Sequence, residues 1–273
     1  MKILSLYQDF FHFLDKIQPR VDKWELYFSN YYHPYEEFLG QYFSKFPLLD
    51  PLALKQRVEA IKPADYSLLR DLISSTPPEG ILQEAYEKCK SVVSSKEEPE
   101  AYLFIGFFSP DAFVMEFRGK PVICFGLERY KDFRLLKILF AHEYAHYLLN
   151  ISEGEVPERE KLKWLLISEG VGTYLSTLVF PNNYLYDHCL FNRARLNWVE
   201  ANEGYLREIF CSGKFSQEEL MDFYFKGNPE MNIPPRAGKY LGYMAVKRYF
   251  TLSKEKDISS LFSNKKKALS LKL

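Results

Sequence analysis

Apolar residues recur every three to four positions at the start of the chain: Ile3, Leu6, Tyr7, Phe10, Phe13, Leu14 and Ile17. That spacing predicts an amphipathic helix from Ile3 to Ile17 with one buried face. Trp24 to Tyr32 and Tyr35 to Phe46 repeat the period. The pattern breaks at His33-Pro34 and stops at Pro47 and Pro51, since proline lacks the amide that continues a helix. Within it, Tyr35, Phe38, Leu39, Tyr42 and Phe43 form a stripe suited to core packing. Two or three further helices are expected between Leu52 and Val93, punctuated by Pro63 and Thr76-Pro77-Pro78. The polar run Ser94 to Glu100 then marks a boundary, giving a helical amino-terminal region over 1–95 and a second region over 96–273.

The period changes from Ala101 onward. Ala101 to Phe108, Phe113 to Phe117 and Pro121 to Phe125 are short runs rich in aromatic and β-branched residues, and Arg118-Gly119-Lys120 between the last two is a hairpin signature. A small antiparallel sheet is therefore expected to lead into the next helix, Phe133 to Leu149, with Asp132 as its N-cap and Asn150 near its end. Ser152 to Glu160 reads as a loop and Lys161 to Val179 as another helix. Ser216 to Glu219 is a capping box opening a helix to Phe225, and Arg236 to Phe250 forms the last substantial helix before a polar tail. The fold class this predicts is α+β, mostly helical, with one small sheet.

Composition narrows the possibilities. The 273 residues are 47% hydrophobic, enough for one large core or two modest ones, and 36 basic residues balance 36 acidic ones. Nothing in that balance steers the protein to nucleic acid or to an anionic membrane, and Lys265-Lys266-Lys267 reads as a solvated tail. Cys89, Cys124, Cys189 and Cys211 form no close pair, so they are expected as free thiols. No apolar run reaches the ~20 residues of a membrane span, and no signal-peptide core develops after Met1, which predicts a cytoplasmic protein with no membrane partner.

The chemistry concentrates in His142-Glu143-Tyr144-Ala145-His146. Side chains four apart stack on one helix face, so His142 and His146 can offer two imidazoles to one metal ion. Glu143 sits on the shoulder of that face, placed to accept a proton from a bound water rather than to act as an equal ligand. The surrounding Leu135, Leu136, Ile138, Leu139 and Phe140 predict burial, where histidine and glutamate need a reason to be. A catalytic zinc takes three protein ligands, so a third is required. Leu149 and Ser152 stand where a close-range motif would need Gly and His. Glu169, an acid in an apolar helical run beside Gly170 and Gly172, ranks ahead of His188 and Asp187.

His142-Glu143-x-x-His146 followed on the next helix by Glu169-Gly170 resembles the gluzincins, zinc metallopeptidases of the thermolysin-like class. With Pro235-Arg236-Ala237-Gly238 and Leu241-Gly242-Tyr243 it is similar to a largely uncharacterised family of bacterial predicted zinc-dependent proteases, over roughly Tyr102 to Phe250. The resemblance implies a zincin-like fold and a zinc ion on His142, His146 and Glu169, with Glu143 as general base hydrolysing a peptide or protein substrate. It also implies that the strand Val122 to Phe125 offers an edge to the substrate backbone. One departure stands out: Thr173 occupies the position where many gluzincins carry an acid that orients a zinc histidine. On the last helix Arg236, Tyr240 and Tyr243 form a polar-tipped stripe that either faces the cleft to serve the carbonyl oxygen or only packs, with Arg236 in a surface pairing, while Gly238 and Gly242 form a packing stripe. The alternative is a metal-binding regulatory or interaction protein that retains such a site without turnover.

Overall fold

The chain opens with a strand. In a computed structural model, which describes residues 1–45, 51–107, 109–253 and 257–273, Lys2–Ser5 (β1) pairs in parallel with Glu100–Phe104 (β2), so the first helix starts only at Tyr7. Phe46, Pro47 and Phe108 lie outside the described residues. Two units are distinguished, Met1–Gln83 with Glu97–Leu136, and Glu84–Lys96 with Lys137–Leu273.

In the first unit, Tyr7–Asp15 (α1) and Lys23–Tyr27 (α2) lead through a π turn at Phe28–Tyr32 and a tight turn at His33–Tyr35 into Glu36–Lys45 (α3). Pro34 falls where the period broke. Pro51–Ala60 (α4) and Ser67–Ser75 (α5) follow, and Pro78–Val92 (α6) carries the chain into the second unit. Aromatic rings fill the core: Phe10, Phe13, Tyr27 and Tyr31 are wholly buried and meet edge to face or tilted. Each such ring contributes about 1.5–3 kcal/mol through burial. Tyr31 adds a polar tie, its hydroxyl accepting from Ile105 N at 2.9 Å and donating to Ile105 O at 3.0 Å, which fixes the chain just after β2. Phe38 stacks on Tyr102 at 4.4 Å, so the α3 stripe packs against the sheet.

The sheet is mixed, with strand order β1-β2-β4-β3, where β3 is Phe113–Phe117 and β4 is Lys120–Gly126. The hairpin forms as the sequence predicts. Arg118 (φ 53°) and Gly119 (φ 72°) both adopt positive φ, which matches the right-handed twist of the flanking strands. One expectation is overturned here. Val122 to Phe125 lies inside β4, which pairs in parallel with β2 on one side and antiparallel with β3 on the other, so its backbone groups are engaged and it offers no edge to a peptide.

The second unit is built on helices Leu136–Ile151 (α7) and Lys161–Val179 (α8). Asp132 accepts from Arg134 N and caps the turn that precedes α7 rather than the helix itself. Leu185–Cys189 (α9), Arg193–Ala201 (α10) and Glu203–Cys211 (α11) lead to Gln217–Lys226 (α12), whose capping box is complete: Ser216 Oγ accepts from Glu219 N and Glu219 accepts from Ser216 N. Gly238–Leu252 (α13) packs along α8 in the same direction, with Gly238 against Leu166, Gly242 against Gly170, and Phe250 stacked on Tyr174 at 5.2 Å. The tail is ordered. Ser259–Phe262 (α14) and Lys265–Leu269 (α15) bury Leu261, Ala268 and Leu269, so the three lysines open a short helix capped by Asn264 instead of trailing in solvent. No helix among the described residues is long and apolar enough to cross a membrane.

Candidate metal centre

The helical period brings His142 and His146 together, with Nε2 to Nε2 at 3.1 Å. α8 runs back antiparallel to α7, and its Glu169 reaches both imidazoles: Oε2 lies 3.3 Å from His142 Nε2 and Oε1 lies 3.6 Å from His146 Nε2. Glu143 also converges, since its ligand atom and those of the two histidines all lie within 4.8 Å of one another. His142 and Glu143 are buried, and His146 and Glu169 are partly so. His188 goes elsewhere: wholly buried, it bonds Ser176 Oγ at 2.9 Å, two turns of α8 beyond Glu169 or about 10 Å along the axis.

The local sequence explains the approach. A Cβ on Gly172 would stand 2.7 Å from His142 Cε1 and Nδ1 and 3.0 Å from Nε2, so the imidazole lies flat on a patch of α8 that only glycine leaves open. His142 is 2% exposed and has no slack to move away. Gly172→Ala is expected to keep the helical fold but to weaken zinc binding at least tenfold, as read by chelator competition alongside circular dichroism. An unchanged affinity would mean that His142 is not held by this contact.

Electrostatics favour a metal-ready set. Burial, followed by the charge of Lys239, lowers the His142 pKa to about 3, and the same two causes lower His146, so both rings are neutral near pH 7 with lone pairs available. Burial opposes the charge of Glu169, but the Lys239 ammonium and the two histidines together outweigh it and hold the carboxyl well below the usual range. Glu143 behaves oppositely. Burial and then the neighbouring Glu169 charge push it up to about 8. Two neighbouring carboxyls are thus pushed in opposite directions, one toward its anion and the other toward its protonated form.

Two neutral imidazoles and one carboxylate are a donor set that zinc takes, and bonds of about 2.1 Å in a tetrahedron put ligand atoms about 3.4 Å apart. The separations of 3.1, 3.3 and 3.6 Å bracket that value. The residues present therefore fit the ion. The outer nitrogen of His142, Nδ1, has no hydrogen-bond partner among the described residues, and Thr173, at the position where an acid would orient it, donates instead to Glu169 O at 2.9 Å.

Tyr240 and Tyr243 are buried in an apolar cluster with Leu166, Cys189 and Phe191; the Glu200 charge acts on both, and the Lys247 ammonium lies 5.7 Å over the Tyr243 ring. Arg236 precedes α13, in a left-handed backbone conformation at φ 61°, and its charge acts on Glu143 and Tyr224. The α13 residue that reaches the centre is Lys239. It is 2% exposed, with Nζ 3.2 Å from Glu169 Oε2 and 3.4 Å from His142 Nε2. Its signal was present in the sequence: a lysine between Gly238 and Gly242 in an otherwise apolar turn is as unexplained as Glu169.

A buried H-E-x-x-H helix met by a carboxylate from the following helix, in a mostly helical α+β chain, defines a centre of the zincin type. Residues 112–270 match the family described as Predicted Zn-dependent protease (DUF2268), and the chain belongs to that family. The match takes in α7, α8 and α13 together with the short tail helices. No curated protein and no solved structure matches the chain.

Proposed function

We propose that this protein hydrolyses peptide bonds, with a zinc ion held by His142 Nε2, His146 Nε2 and the Glu169 carboxylate. The observation that carries the reading is the approach of Glu169 to within 3.3 and 3.6 Å of the two metal-facing nitrogens. When bound, the ion supplies Lewis-acid polarisation of the scissile carbonyl and brings a coordinated water toward a pKa of about 7. Glu143 accepts the water's proton and returns it to the leaving amine, a role suited to a buried carboxyl that binds protons readily. Arg236 supplies positive charge on the Glu143 side, where it favours the carboxylate form that starts the transfer. Tyr240 and Tyr243 support α13 from within its apolar cluster. No disulfide joins the four cysteines, in keeping with a reducing compartment, and the substrate is a peptide or protein segment met in the cytoplasm.

Purified protein is expected to hold about one zinc per chain. His142→Ala, His146→Ala and Glu169→Ala should each abolish tight binding, measured by elemental analysis after dialysis, while circular dichroism stays native. Full occupancy in Glu169→Ala would remove that residue from the ligand set. The competing reading, a site kept for regulation without turnover, draws on the Lys239 ammonium resting against Glu169 and His142. Incubating zinc-loaded protein with a library of unstructured peptides separates the two, because a regulatory site leaves the library intact.

A further inference from the structure

Lys239 Nζ stands 3.2 Å from Glu169 Oε2 and 3.4 Å from His142 Nε2. These are two of the atoms that the proposed ligand set assigns to zinc. A neutral imidazole nitrogen has a single lone pair, so His142 Nε2 accepts from the lysine or faces a metal ion, but does not do both. The carboxylate oxygen is less restricted, yet an ammonium and a divalent ion sharing it would stand against each other inside a buried cavity, where like charges are poorly screened.

The lysine is not there by chance of a flexible side chain. Gly238 packs on the Leu166 side chain and Gly242 on the backbone of Leu166 and Gly170, so α13 is held close to α8 on both sides of Lys239. Glu169 immediately precedes Gly170 at that crossing. The packing that seats the two helices therefore also seats the Lys239 ammonium on the Glu169 carboxylate, and at 2% exposure the side chain is held out of water while no metal is bound. Without a metal, Lys239 answers the Glu169 charge and gives the facing lone pairs of His142 and His146 a nearby positive group.

We propose that Lys239 is the internal counter-ion of this centre: it holds Glu169 and His142 in place while no metal is bound, and metal capture requires its ammonium to leave both atoms. The inference rests on His142, His146 and Glu169 being the ligands. It follows that the metal-free protein stays folded with its ligands assembled, unlike structural zinc sites whose chains unfold when stripped. Metal affinity is then the outcome of an exchange between ammonium and ion rather than of filling an unoccupied cage.

The test is zinc affinity, measured on the full chain by competition with a chromophoric chelator. Lys239→Met, of matching length and without charge, is expected to bind zinc at least tenfold more tightly than wild type. Stripped of metal, the same variant should melt at a lower temperature than wild type, because Glu169 loses its partner, and zinc should close that gap. Should Lys239→Met not fold without metal, Lys239→Gln carries the same expectation, since it keeps a donor for Glu169 but no charge. Equal affinity in wild type and variant would overturn the proposal by showing that lysine and zinc coexist. Weaker affinity would overturn it by making Lys239 a support of the bound ion. If wild type takes up no zinc, the ligand assignment falls and this inference falls with it; if Glu169→Ala loses zinc while the Lys239 variants bind as wild type, only this inference falls.

Discussion

Glu143→Gln is expected to keep its zinc and to lose between a hundredfold and ten-thousandfold in peptide hydrolysis, the range that a positioned general base contributes. The substitution preserves shape and removes one capacity, since an amide oxygen does not take up the water's proton. Glu143 and the two histidines lie within 4.8 Å of one another, so proximity alone would let either acid complete the ligand set. Two observations separate them. Glu169 reaches both imidazole nitrogens and is held ionised, whereas Glu143 is driven toward its protonated form. A ligand must be deprotonated and a proton carrier must exchange its proton, so the two environments match the two roles. Turnover of a cleaved fluorogenic peptide, read together with zinc content, decides the matter. Activity near wild type would remove Glu143 from the chemistry, and loss of zinc would make it a ligand.

The histidines and Glu143 were legible because a helix fixes which residues share a face, and Glu169 because an acid in an apolar run has to be explained by something outside the helix. Lys239 carried the same mark but was harder to read. Lysine in a helix is ordinarily solvated, and only the α8–α13 crossing takes this one out of water. Tyr240 and Tyr243 were placed on a stripe from the helical period alone. That period holds, yet it does not say which neighbour a stripe meets, and these two meet Leu166 and Cys189. The sheet shows the same limit. Ile3, Leu6, Tyr7 and Phe10 fit a helix, and what makes Lys2–Ser5 a strand is a parallel partner in register with Glu100 to Leu103. That distant pairing also supplies the outer strand of a sheet in which β4 becomes central, which no local pattern around Val122 announces.

Gly242→Ala is expected to be the most damaging single substitution to the fold. Its Cβ would stand 1.7 Å from Leu166 O, 2.7 Å from Leu166 C and 3.1 Å from Gly170 N. These are backbone atoms of α8, so no rotamer change relieves the clash and the helices have to part by more than an ångström. Parting them also pulls Gly238 off Leu166 and Phe250 off the Tyr174 ring. Overpacking usually costs about 1–3 kcal/mol, and a clash with fixed backbone belongs at or above the top of that range. Against a total stability of about 5–15 kcal/mol, such a loss removes about a fifth to more than half of the total. Zinc binding should fall with it, because α8 carries Glu169 and the crossing positions it. Gly204→Ala is the matched control: it lies in α11, is exposed, and its Cβ would meet nothing within 4 Å. There the better helix propensity of alanine should stabilise by up to about 1 kcal/mol. Urea unfolding of the two variants beside wild type reads the contrast directly. A Gly242→Ala protein with a wild-type midpoint would show that α8 and α13 do not depend on backbone contact, and would also remove the packing that is held to seat Lys239.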